Sequence, residues 1–143
     1  MKNLWLIASS LIIASCAIEP EPIVYGTDAC HFCKMTIVDN QHAGQLVTTK
    51  GRSYKYDAIE CMMNHLYEWD KPEVAMYLVA DYKNPGKLVD ATSASYLITE
   101  SIPSPMGEYL TAFGNSQNRD YTQTQQGGLK LDWTSLQNEF SSR

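Results

Sequence analysis

The chain has 143 residues, 44% of them hydrophobic, and 11 Lys+Arg against 16 Asp+Glu give a formal net charge of −5. That length and apolar share suit one globular domain with a core. The acidic balance and the lack of any basic run exclude a binder of phosphate backbones, so nucleic acid is not an expected partner.

In chain order, Lys2 and the apolar run Leu4–Ala14 (LWLIASSLIIA) have the form of a signal peptide's first two regions. The run is too short for a permanent membrane span. It ends in Ile13-Ala14-Ser15-Cys16, which resembles the lipobox of bacterial lipoproteins. That resemblance implies cleavage after Ser15, lipid on the Cys16 thiol and a stable membrane anchor. Ala17, rather than Asp, follows Cys16 and favours the outer membrane. Residues 1–15 are thus expected to leave, and residues 16–29, with Pro20, Pro22 and Gly26, read as lipidated cysteine and tether. The mature domain is expected over residues 30–143.

Gly44–Thr49 and Arg52–Tyr56 flank Lys50-Gly51, a hairpin signal. Asp57 with Glu60 three residues on reads as a capping box at a helix start. Ile59, Met62, Met63, Leu66 and Tyr67 then form one apolar stripe at helical spacing. Pro72 lies beyond that helix, and Val74–Ala80 reads as a buried strand. A fainter version of the same order follows. Lys87–Thr92 and Ser95–Thr99 read as strands, Ser104–Gly107 as a loop, and a helix is expected from Glu108 to about Gln126. Gly127-Gly128 ends it, and Leu129–Trp133 reads as a last strand. The fold class is therefore α+β: two similar ββαβ-type halves, about 30–84 and 85–143, in one compact domain.

Four cysteines are present. With Cys16 given to lipid, Cys30, Cys33 and Cys61 remain, an odd set for a purely structural disulfide framework. The densest chemistry is CHFCKM, Cys30 to Met35. Two thiols two residues apart and a nearby thioether are soft donors, which select Cu(I) over hard cations. Met106, on a Pro-Met-Gly loop, is the natural outside donor, although both methionines also read as packing residues. Zinc wants a fuller set of nitrogen or sulfur ligands. Haem attachment is excluded because Lys34, not histidine, follows Cys33. Cys61 and His65, at i and i+4, share a helix face; they read either as a ligand pair or as a half-buried cysteine and a surface histidine. His31 offers a further nitrogen, and His42 is the third histidine. CHFCK also looks like the CxxCK of thioredoxin-like proteins, which leaves a thiol–disulfide oxidoreductase using Cys30 and Cys33 as the rival function. No catalytic triad order, phosphate loop or HExxH stretch appears, so no enzyme is demanded.

Taken together, DACHFCKMTI, YDAIECM, VADY, LVDATSASYLI and PMG followed by LTAFGN resemble the NosL family, in order over most of residues 28–115. The resemblance implies a lipid-anchored, periplasm-facing Cu(I) chaperone with a duplicated ββαβ-type fold. It implies delivery of copper for the centres of nitrous oxide reductase, with the NosDFY membrane complex as intermediary. Carried onto this chain, the ligands are Cys30 or Cys33, with Met35 and Met106 as thioether partners. Cys61 matches a cysteine often seen there, without a transferred role.

Overall fold

The computed structural model describes residues 17–143. The signal segment 1–15 and Cys16 lie outside the described residues, and none of the described helices is long and apolar enough to cross a membrane.

The first half opens with the hairpin β1 (Gly44–Thr48) and β2 (Ser53–Tyr56). Gly51 turns it at a φ of +78°, a left-handed value that glycine adopts without steric cost. Helix α1 (Ile59–Tyr67) follows, then β3 (Val74–Ala80). Strand β3 returns antiparallel along the other edge of β1, so β1 is central. Ile59, Met62 and Met63 of the expected stripe are buried, and they seat α1 on the sheet. The approach is close: a Cβ on Gly44 would stand 3.1 Å from the Met62 sulfur. The stripe fades at its end, where Tyr67 is exposed because the helix has run past the sheet.

The second half repeats the pattern. Strands β5 (Ser95–Ile98) and β6 (Leu110–Phe113), helix α2 (Ser116–Gln126) and β7 (Leu129–Leu131) form a sheet of order β6-β5-β7, again with its first strand central. The duplicated ββαβ architecture is present, but its second hairpin differs from the expected one. Leu88–Asp90 (β4) pairs with β3 and extends the first sheet to β2-β1-β3-β4. The true hairpin partner of β5 is β6, inside the span expected to be helical from Glu108. Leu110, Thr111, Ala112 and Phe113 are all buried, so this strand is covered on both faces and shows no alternation to read. The helix proper begins at Ser116, with the Asn115 side chain accepting from the Asn118 N–H at 2.9 Å.

The chain closes with a helix where only a strand end was expected. In α3 (Trp133–Ser141), Asp132 and Ser135 form a reciprocal capping box. Leu136 and Phe140 carry the buried face onto a core shared with α1, containing Leu46, Met62, Val79, Tyr96 and Leu110. The two sheets meet there, and the Tyr82 N–H donates to the Ala112 carbonyl at 2.9 Å between them.

Residues from Glu21 onward are docked, not free. Ile23 and Tyr25 pack against the core, the Gln45 side-chain amide donates to the Glu21 carbonyl at 2.7 Å, and Lys55 pairs with Asp28 at 2.7 Å. Composition rich in proline and glycine suggested a tether, but two apolar side chains and these polar contacts hold the segment against the domain.

Candidate metal centre

The CHFCKM segment is a loop clasped to the end of β2. The Cys30 N–H donates to the Met35 carbonyl at 2.8 Å, the Lys34 N–H returns to the Cys30 carbonyl at 3.0 Å, and Ala29 bridges Thr36. The His31 N–H donates to the Lys55 carbonyl at 2.9 Å, which ties the loop to the sheet. Lys34 takes a φ of +69°, so the chain reverses sharply after Cys33. A thioredoxin-like site would start a helix at its first thiol; here that thiol begins a turn.

This loop faces the first turn of α1, and four side chains converge. The ligand atoms of Cys30, Cys33, Asp57 and Cys61 lie within 4.8 Å of one another. Cys30 and Cys61 are buried, with 1% and 0% of their surface exposed, whereas Cys33 is half-buried. All three thiols are free. Asp57 does not cap the helix. Ala58 occupies the cap position with no side-chain bond, and the Asp57 carboxylate instead accepts from the Cys33 thiol at 3.3 Å. Glu60, the other half of the expected capping box, is also buried. Its Oε1 accepts from the Ser104 hydroxyl and, at 3.4 Å, from the Leu110 N–H, while its Oε2 has no partner. Burial pushes its carboxyl above the usual range.

The cluster's electrostatics are uneven. The Cys61 thiol donating to Cys30, with the amides of Asp57, Cys33 and Phe32 helping against burial, pulls the Cys30 thiol down to about 6. Burial, followed by the neighbouring Cys30 and Asp57 groups, pushes Cys33 up to about 11. Cys61 is raised because its proton is committed to Cys30. Cys30 is therefore the thiol of the cluster that ionises first.

The other candidates occupy different places. The His31 ring Nδ1 accepts from the Lys55 N–H at 3.1 Å. The same nitrogen lies 3.3 Å from the Lys55 carbonyl, so the β2 backbone holds the ring through Nδ1, and His31 is not among the residues whose ligand atoms converge. His65 is held by the Tyr56 hydroxyl at 2.7 Å and stacks edge-on against Tyr54 and Trp69, so it belongs to an aromatic wall and is not a surface residue. Burial lowers the pKa of both rings. His42 is structural, bridging Asp39 at 3.0 Å and Thr111 at 3.3 Å. Met35 is 50% exposed beside the loop, and Met106 is half-buried against the core that contains Cys30 and Cys61.

Sequence reasoning missed Asp57 and undervalued Cys61. The available signal was proximity: Asp57 lies just before the helix and Cys61 in its first turn, four residues apart. What can such a set do? Three thiols are soft, polarizable donors that suit a thiophilic ion, and the buried Asp57 carboxylate adds a harder oxygen.

Comparison with known proteins places the chain in a family. The NosL family profile matches residues 23–141. The chain is 30% identical over 124 residues to the copper-binding lipoprotein NosL of Stutzerimonas stutzeri, a match covering 78% of this chain and 63% of that relative. It therefore spans less than two thirds of the relative's length. The crystal structure of the copper chaperone NosL from Shewanella denitrificans superposes with a TM-score of 0.65 at 21% identity, covering 82% of this chain and 91% of that one; at this identity the likeness concerns the fold. With its profile matched from the docked N-terminal segment to the last helix, the chain belongs to the NosL family.

Proposed function

We propose that this protein is a membrane-anchored, periplasm-facing carrier of Cu(I), which it supplies for assembly of the copper centres of nitrous oxide reductase with the NosDFY complex as intermediary. The observation that carries the reading is the convergence of Cys30, Cys33, Cys61 and Asp57 within 4.8 Å, with one thiol open to solvent. Support also comes from two relatives, one named a copper-binding lipoprotein and the other a copper chaperone. The anchor is lipid on Cys16, with the outer membrane as its place.

The chemistry follows from the donor set. A Cu(I) ion meeting the Cys30 thiolate neutralises that sulfur's negative charge. Any further coordination by Cys33 or Cys61 displaces a proton. Low coordination numbers leave room for an incoming sulfur before an outgoing one departs, and half-exposed Cys33 marks the side from which an acceptor approaches. Met106 and Met35 are the thioethers that stand by as third or exchange ligands, Met106 from the core side and Met35 from the solvent side.

The test is anaerobic titration of the reduced full chain, carrying Cys16→Ser and held in mild detergent, with Cu(I) against a competing chelator. One copper per chain is expected, with strong loss in Cys30→Ser and a smaller loss in Met106→Leu. A chain that holds no copper, or a Cys30→Ser variant as tight as the parent, refutes the reading.

A further inference from the structure

A carrier needs ligands that let go, and the cluster holds a chemistry that copper binding alone does not use. Cys30 and Cys33 belong to one tight turn, closed by the Lys34 N–H on the Cys30 carbonyl at 3.0 Å. Their sulfurs lie within 4.8 Å of each other and neither is bonded. A turn of this kind brings residues three apart into the range of α-carbon separations, below about 7 Å, that a disulfide spans. Cys33 is the one thiol of the cluster that solvent reaches, since Cys30 and Cys61 are 1% and 0% exposed. Its hydrogen bond to Asp57 at 3.3 Å keeps the sulfur turned toward the cluster.

We propose that Cys30 and Cys33 form a reversible disulfide by exchange with a disulfide-bearing oxidant, and that closing this bond turns the cluster from a metal-holding into a metal-releasing state. The first clause stands on the thiols alone; the second rests on the copper reading above. In the exchange, the Cys33 sulfur attacks one sulfur of the oxidant, R–S–S–R, forming a mixed disulfide and expelling RS⁻. The Cys30 sulfur then attacks Cys33, closing the ring and expelling the second RS⁻. The two thiol protons end on the two released RSH. Cys30 and Cys33 lose two electrons together and the oxidant gains them. Copper stays monovalent throughout and loses Cys30 and Cys33 as ligands. Cys61, sealed on the helix, remains a thiol and marks the switched state.

The experiment equilibrates the metal-free full chain, carrying Cys16→Ser in detergent, with glutathione and glutathione disulfide at graded ratios. It is quenched with acid and alkylated, and mass spectrometry counts and locates the free thiols. One bond between Cys30 and Cys33 is expected, with Cys61 alkylated throughout. Cys61→Ser should keep the bond; Cys30→Ser should stop at a mixed disulfide on Cys33. Circular dichroism of each variant establishes that it is folded. Three alkylated thiols in pure glutathione disulfide overturn the proposal, as does a bond that uses Cys61. In a second arm, reduced and oxidised chains are titrated with Cu(I), and oxidation should weaken binding by at least about a hundredfold, as two primary ligands are lost. Equal binding by both forms overturns the switch while leaving the copper reading intact. No binding even by the reduced chain refutes the copper reading and the switch, but not the disulfide.

Discussion

Replacing Cys61 by alanine tests whether the buried thiol earns its place through its neighbour. In the metal-free protein the Cys30 sulfur titrates at about 6, and the largest cause is the proton that Cys61 donates to it. A hydrogen bond to a charged group contributes about 1.5–3 kcal/mol, and one pKa unit corresponds to about 1.36 kcal/mol. Removing the donor should therefore raise the Cys30 midpoint by about one to two units. The backbone amides of Asp57, Cys33 and Phe32 remain, so it should not return fully to the value of a free thiol. Thiolate absorbance near the far-ultraviolet edge, followed anaerobically against pH, reads the change directly. The parent should show a step for one sulfur near pH 6, and Cys61→Ala should move that step upward. Because a depressed folded pKa stabilises the native state fully only above the free-thiol value of 9.0, the parent should also lose stability as pH falls from there to about 6, and the variant should lose less. A parent with no thiolate below pH 8, or a variant whose step does not move, would refute the assignment of the charge to Cys30 and of its stabilisation to Cys61.

Asp57→Asn replaces a charged carboxylate by a neutral amide and leaves three soft sulfurs, so competitive titration should show Zn(II) binding weakened by about tenfold or more and Cu(I) binding changed by much less. Equal losses for the two ions would place the carboxylate outside the coordination sphere. Gly128→Ala should cost at least about 1–3 kcal/mol in urea denaturation. The residue sits at a φ of +111°, and an added Cβ would collide with the Ile98 carbonyl oxygen. Gly51→Ala, in open space at a φ of +78°, should cost only about 1 kcal/mol. Ser104→Ala withdraws the hydroxyl that donates to buried Glu60 and accepts from the Tyr109 N–H. The expected cost is about 1–3 kcal/mol in denaturant melts, because the buried Glu60 oxygen keeps only the long Leu110 N–H contact and the Tyr109 N–H loses its acceptor.

The internal repeat explains where the site can be. The two sheets, β2-β1-β3 with β4 added and β6-β5-β7, have equivalent centres, and α1 and α2 occupy equivalent positions in the order. Only the first repeat carries the chemistry: Asp57 just before α1 and Cys61 in its first turn face the thiol loop, whereas α2 is SQNRDYTQTQQ, with Thr122 its one buried residue. The second repeat supports the site indirectly, through Ser104 and the Leu110 N–H holding Glu60, the residue before Cys61.

Local order alone was enough to read the β1–β2 hairpin, the apolar stripe of α1, strand β3 and the CHFCKM loop as a soft-metal candidate. Each is set by short-range periodicity, turn chemistry or donor type, which any stretch of chain carries with it. Strand β6 was not legible, since burial on both faces erases alternation, and α3 hid behind a strand-like Leu-Lys-Leu-Asp-Trp opening. The donor set was the largest thing left to folding. Asp57 looks like a helix cap until the Cys33 thiol arrives to bond it, and Cys61 looks like a small core residue until a loop some thirty positions earlier packs against its helix. Sequence decided which atoms were available. Only the tertiary contacts between that loop and α1 decided which of them share one point in space, because side chains from separate elements meet through packing and not through spacing along the chain.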